Sequence, residues 1–441
     1  LEVTRIGRLL LKSQIAQPSC LDLESKENTM SDTITRPVRD AQASLVKPAP
    51  VAHIIKSDNE ALEIAYQLAQ SFKQERIKRD RERLLPFEDI ESLSQSGLWA
   101  ITVPKRFGGA DVSSWTVAQI IALLSGADGA IGQIPQNHYY ALEVLKNTGT
   151  EAQQQRIFAE VLQGARLGNA LAEFKPKNAV DKTTKLTSTP GGYLINCEKF
   201  YCTGSLFAHR IPTLVKDDND REFLAFVQRD AKGLTLIDDW QSFGQRTTGS
   251  GTVLFDQVFV DRDDVIALDT AYQSPTVCGP FAQLLHAAIE TGIARGAFDE
   301  TLVQVRQARP WIDSGVDKAT DDPLTLLQIG RSAADVRAVE VLLKHAAQTI
   351  DAARPTPNEQ NIAQASLAVA AVRALSTEVA LKTSSQLIEL AGSRGSQRDK
   401  GLDLFWRNAR VHTLHDAARW KYYFIANYAL NGVLPPRRGT L

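Results

Sequence analysis

Thr183–Ser188 and Tyr193–Tyr201 flank the tetrapeptide Thr189-Pro190-Gly191-Gly192, and this stretch decides the fold. Two short runs rich in β-branched and aromatic residues around a Pro-Gly pair predict a hairpin. The texture of the chain changes just upstream, near Gly168. Ile211–Val215 and Glu222–Gln228 enclose a second turn, Asp217-Asp218-Asn219-Asp220, and Leu234–Ile237 and Thr252–Val260 add further short strands. About seven such runs predict a compact β unit over 167–275.

Helical patterning lies on both sides. Upstream, Ser57-Asp58-Asn59-Glu60 reads as a cap and acidic first turn, followed by Leu62, Ala65, Leu68, Ala69 and Phe72 on one face. Further helices are predicted from Pro86 to Ser96, from Ser113/Ser114 through Leu124, over Tyr139–Lys146 and over Glu151–Leu162, so 57–166 reads as all-helical. Downstream, three stripes recur. They run from Phe281 to Ile293, from Leu326 to Ile350, and from Ile362 to Leu390, the last stopped by Gly392. A helix of that length spans about 45 Å and must pack along neighbours. A final helix is predicted from Asp416 as N-cap to about Leu430, making 276–434 a four-helix bundle. The fold class is α+β: an N-terminal all-α domain, a central β-barrel or sandwich, and a C-terminal four-helix bundle. Residues 1–56, with Pro37, Pro48 and Pro50, read as a disordered lead-in. Met30-Ser31-Asp32 reads as a translation start, which makes 1–29 upstream sequence.

Composition bounds the function. The 441 residues carry a net charge of -1 and 43% hydrophobic side chains. That suits a large core and argues against nucleic acid as partner. No apolar run long enough to cross a membrane is read, nor a signal peptide, and the expected location is the cytoplasm. Four Cys and one Met give five sulfur atoms in the chain. Such scarcity fits expression under sulfur limitation, and equally fits compositional drift. The cysteines show neither metal spacing nor a disulfide framework, and no metal is expected.

The order helices, β unit, helices resembles the acyl-CoA dehydrogenase superfamily over about 57–434, where a flavin lies between the β unit and the last bundle. Gly168-Asn169-Ala170-Leu171-Ala172-Glu173 stands where those enzymes carry Leu-Thr-Glu-Pro followed by Gly-Ser-Asp. Ala172 replaces the Thr, and no Gly-Ser-Asp is recognisable around Lys177–Asp181. Phe200-Tyr201-Cys202-Thr203-Gly204 resembles the Trp-Ile-Thr strand that reaches the flavin. The resemblance implies Asn169, Leu171, Thr203 and Gly204 as flavin contacts, with Arg246, Arg309 and Arg394 for its phosphate. Arg309 would reach in from a neighbouring subunit, and a homotetramer is implied. Arg246 reads equally well as a surface ion-pair residue.

A dehydrogenase of this superfamily needs a glutamate base, and no Glu occurs from Lys400 to Leu441. Its other base position aligns near Ala282, and Glu290 lies two turns further on. In its place stands Asn408-Ala409-Arg410-Val411-His412-Thr413-Leu414-His415-Asp416. The pattern Arg-x-His-Thr-Leu-His-Asp resembles dibenzothiophene monooxygenases and, more closely, the sulfur-acquisition oxidoreductases linked to dimethyl sulfone use. Ile134-Pro135-Gln136-Asn137-His138-Tyr139 and Phe243-Gly244-Gln245-Arg246-Thr247-Thr248 extend the likeness. It implies a two-component monooxygenase. Reduced FMN would come from a separate NAD(P)H flavin reductase, and the substrates would be O2 and a small organosulfur compound. His415 would face a flavin C4a-(hydro)peroxide, His412 would support it, and His138 would line the substrate side. Read without the likeness, His412 and His415 could be helix-end packing residues, and His138 a half-buried core histidine. His53, His209, His286 and His345 are read as structural. The alternative function is an FAD-dependent acyl-CoA dehydrogenase.

Overall fold

The computed structural model describes residues 52–173 and 183–440. The expected start at Met30, most of the lead-in and the segment around Lys177–Asp181 lie outside the described residues. The last five positions of the expected lead-in pack onto the fold: Ala52 and Ile55 are buried, and the His53 amide donates to the Gln95 carbonyl at 2.9 Å.

Among the described residues, six α-helices come first: α1 (Asp58–Glu82), α2 (Phe87–Gln95), α3 (Ser114–Ala127), α4 (Gly129–Gln133), α5 (Pro135–Thr148) and α6 (Glu151–Leu162). Ser57 caps α1 as predicted, its hydroxyl accepting from the Glu60 amide. α5 starts four residues earlier than the periodicity indicates, because Pro135 occupies its first turn without needing an amide partner.

Seven strands follow among the described residues: β1 (Leu186–Thr189), β2 (Gly192–Lys199), β3 (Arg210–Lys216), β4 (Glu222–Gln228), β5 (Leu234–Ile237), β6 (Thr252–Asp261) and β7 (Val265–Ala267). They form two antiparallel sheets, ordered β1-β2-β6-β5 and β3-β4-β7. The predicted hairpin is present, with Thr189 facing Gly192 and Gly191 at φ 81°, the conformation a Pro-Gly turn requires. Ile195, Ile211, Val215, Ala225, Val253 and Phe255 join the inner faces into one core, as in a sandwich.

After the short α7 (Thr270–Gln273) come α8 (Cys278–Arg306), α9 (Pro323–Ala353) and α10 (Glu359–Ala391), then α11 (Asp403–His412) and α12 (Arg419–Asn431). The bundle therefore has three long helices and two short ones. The expected cap at Asp416 does not form. Its carboxylate lies 3.5 Å from both Arg373 and Lys421, and α12 begins only at Arg419. α10 is long and apolar enough to cross a membrane by length and composition, contrary to the run-length reading, yet 61% of that window is buried inside the protein. It also carries the buried Arg373.

One hydrophobic core links α1 and α3 to the bundle. α3 and α8 meet backbone to backbone: a Cβ on Gly292 would sit 2.3 Å from the Ala122 carbonyl oxygen, and one on Gly296 2.3 Å from that of Gly126. The small residues of the first C-terminal stripe are thus required by contact.

Candidate active site

Four segments of the bundle converge on a buried charged cluster. α8 contributes Gln283, His286 and Glu290, spaced to share one face. α10 contributes Arg373, α11 ends on His412, the following turn carries His415 and Asp416, and α12 supplies Lys421. Glu290 and Arg373 form an ion pair in which both side chains are 0% exposed. Ser376 and Thr377 hydroxyls each donate to Glu290 Oε2 at 2.9 Å. His412 Nδ1 lies 3.0 Å from Glu290 Oε1, and His412 Nε2 lies 3.1 Å from His286 Nδ1. The His286 and His415 rings are in contact, centroids 4.1 Å apart and planes tilted by 42°.

The electrostatics follow from burial and from this crowd of cations. Burial alone would raise Glu290, but Arg373 and the bond from His412 outweigh it and hold the carboxyl below its usual range. Burial, then the neighbouring His415, His412, Arg373 and Lys421, keep His286 well below the ordinary histidine value. Burial brings His415 down to about 4, against the opposing pull of Asp416 and with His412, Arg373 and Lys421 adding to it, although part of the residue stays exposed. Lys421 is brought down to about 8, chiefly by burial. The tail returns over this cluster. Gln283 donates to the Gly439 carbonyl at 2.9 Å, and Lys421 donates to that of Thr440.

The β side supplies hydroxyls. Thr203 Oγ1 meets Ser250 Oγ at 2.7 Å, Ser250 meets Thr248 Oγ1 at 2.6 Å, and Thr248 donates to the Gln245 carbonyl at 3.0 Å. The Gln245 amide donates to Asn408 Oδ1 at 2.7 Å. Asn408 and His412 stand four residues apart on α11, so the hydroxyl chain is tied to the face that carries the imidazole. The Asn169 side-chain amide donates to the Tyr201 carbonyl at 3.2 Å, and its backbone is clamped on both sides by Ser205 Oγ. Gly204 takes φ 78° there. Among the described residues, the buried polar atoms without a partner include Asn169 Oδ1 and Arg246 Nε on this side of the site. A buried acceptor and a buried donor left open next to a strand-edge hydroxyl chain fit a flavin, whose ring edge offers both kinds of group and whose phosphate suits a guanidinium.

The other sequence-derived residues fall in varied places. Leu171 is half-buried against the core beneath the sheet. Arg309 and Arg394 are exposed, on the segments after α8 and α10. His138 sits away from the role the resemblance gives it. It is 0% exposed, its Nε2 is 2.7 Å from the Trp99 carbonyl, and its Nδ1 accepts the Leu167 amide at 3.0 Å. Both nitrogens are spent on backbone, so His138 fastens α5 to the start of the β unit. His286 and Glu290, in contrast, belong to the cluster although the sequence reading set them aside. Glu290 is not a free base, since each of its oxygens is engaged.

Burial takes His138 down to about 3. The folded value lies below the unfolded one, so its neutral form costs nothing above pH 6.5 or so. Below that, the unfolded chain binds a proton that the native state refuses, and stability falls by about 1.4 kcal/mol per pH unit. At pH 5 the expected loss is about 2 kcal/mol. Urea midpoints measured from pH 7 to pH 5 should fall less steeply for His138→Gln than for the parent. Equal slopes would refute this account of His138.

Comparison with known proteins agrees with this geometry. The acyl-CoA dehydrogenase N-terminal domain matches residues 59–165, and the C-terminal domain of the same family matches residues 284–420. Dibenzothiophene monooxygenase of Rhodococcus qingshengii is 30% identical, over 86% of this chain and 95% of its own length. The probable FMNH2-dependent monooxygenase SfnC of Pseudomonas putida is 27% identical, over 85% and 96%. The crystal structure of FMN-bound TdsC from Paenibacillus sp. A11-2 superposes with a TM-score of 0.83 at 30% identity, over 86% of this chain and all of that one. With both domain models matched and a relative at 30% identity covered over 95% of its length, the chain belongs to the acyl-CoA dehydrogenase family, on the branch that holds the flavin-dependent dibenzothiophene monooxygenases.

Proposed function

We propose that the protein is a reduced-FMN-dependent monooxygenase that uses O2 to oxygenate a small organosulfur compound. The observation that carries the reading is the pairing of three imidazoles with a glutamate locked by Arg373. His286 and His415 are held neutral at pH 7, so they can accept a hydrogen bond or a proton, while Glu290 has no free oxygen with which to pull one from carbon. The FMN dependence and sulfur substrates of the similar enzymes support it.

Reduced FMN supplies the activation of dioxygen. The protein does the rest. Asn169, Thr203 and Gly204 with the Ser250–Thr248 hydroxyls hold the ring edge, and Arg246 takes phosphate. Arg309 and Arg394 join it across subunits of a homotetramer. His415, the exposed imidazole of the cluster, would face the reacting oxygen, and His412 would fix its surroundings from beneath. The packed bundle excludes water from the inner side. A separate NAD(P)H reductase in the cytoplasm delivers the cofactor.

Oxygen uptake with reduced FMN, a flavin reductase and a panel of dimethyl sulfide, dimethyl sulfone, methanesulfinate and dibenzothiophene tests this. An oxygenated product from at least one compound is expected. Tightly held FAD bleached by an acyl-CoA, with no sulfur product, would overturn the proposal in favour of a dehydrogenase.

A further inference from the structure

The hydrogen-bond order within the histidine cluster has a direction. An ionised carboxylate can only accept, so the contact at 3.0 Å requires the proton of His412 to reside on Nδ1. Neutral His412 then has its lone pair on Nε2, and the 3.1 Å contact is donated by His286 Nδ1–H. That leaves the lone pair of His286 on its own Nε2. His286 is only 2% exposed and touches His415, the member of the cluster that reaches solvent. The carboxylate that starts the chain is held ionised by Arg373 and by two hydroxyl donors.

We infer that Glu290 is a positioning residue that sets the tautomers of His412 and His286, so that His286 Nε2 is the proton-accepting atom presented beside His415. A proton taken up at His286 Nε2 from the reacting molecule is matched by transfer of the Nδ1 proton to His412 Nε2. The pair gains one proton and one positive charge, which settles on His412 against Glu290. No electrons move. The charge is set by everything facing the two rings: Glu290 on the same helix as His286, Arg373 on α10, His415 and Asp416 on the turn, and Lys421 on α12. Arg373 and Lys421 oppose protonation, while Glu290 and Asp416 favour it. The catalytic use of this relay rests on the monooxygenase reading. The tautomers do not.

Two measurements on the full chain separate these. Imidazole 15N spectra of flavin-free protein at pH 7 should show His412 and His286 neutral with the proton on Nδ1, an assignment that needs neither flavin nor substrate. In Glu290→Gln the His286 signal should change to the other tautomer or to a mixture. In the reconstituted reaction the same variant should form product about 100-fold more slowly, with substrate KM unchanged and the acid limb of the pH profile moved to lower pH. Glu290→Asp should restore part of the rate. Wild-type spectra with either proton on Nε2 overturn the inference, and need no variant to fold. So does a Glu290→Gln protein with unaltered tautomers and full product yield. Wild-type protein that shows the expected tautomers yet oxygenates no sulfur compound defeats the function reading alone.

Discussion

Arg373→Leu is expected to lower the unfolding free energy by about 3–5 kcal/mol, the cost of leaving a buried charge without its partner. Arg373 and Glu290 are both fully enclosed, so no water can replace the guanidinium. The Ser376 and Thr377 hydroxyls and His412 stay bonded to Glu290, but none of these neutral groups balances a full negative charge. Adding Glu290→Gln to the leucine variant removes that charge, and the double variant should recover most of the loss. Urea midpoints of the four proteins in this cycle provide the check. A loss under about 1 kcal/mol for Arg373→Leu would mean that the pair is dispensable to the fold.

His415→Ala should separate oxygen consumption from oxygen transfer. Product per oxygen consumed is expected to fall about 100-fold, with hydrogen peroxide in its place. The reason is position. His415 is the exposed end of the imidazole cluster, in contact with His286 at 4.1 Å. Truncation opens the cleft to water and strips His286 of its cover without touching the buried Glu290–Arg373 pair. Peroxide and product are measured together during oxygen uptake, alongside the urea midpoint. Unchanged product yield would remove His415 from its role.

Parts of the molecule were legible in the residues because the physics there is local. The Pro190-Gly191 turn declares itself, as does the cap at Ser57, and long stripes such as Ile362 to Leu390 can only be helices that bury one face. α11 was not legible. It is short, and Leu404 and Phe405 are buried by partners distant in sequence: Arg76 lies over the Phe405 ring at 4.7 Å, and Arg407 pairs with Asp80. Asp416 resembled a cap for the same reason, since its real partners, Arg373 and Lys421, come from other helices. His412 and His415 stand in a motif that the residues display openly. His286 and Glu290 are hidden because they sit inside an apolar stripe that runs from Phe281 to Ile293. Their signal was nonetheless present: two ionisable residues four apart on the buried face of one helix, a placement too costly to persist without partners. His138 misled in the opposite sense, since its ring is consumed by two backbone groups that no spacing could disclose.

The glycine seam between α3 and α8 has a mechanical outcome. Surfaces that interlock through side chains can slide by exchanging rotamers, whereas main chains in direct contact have nothing to exchange. The leading helices and the bundle must therefore move as one stiff frame that keeps the imidazoles in fixed register.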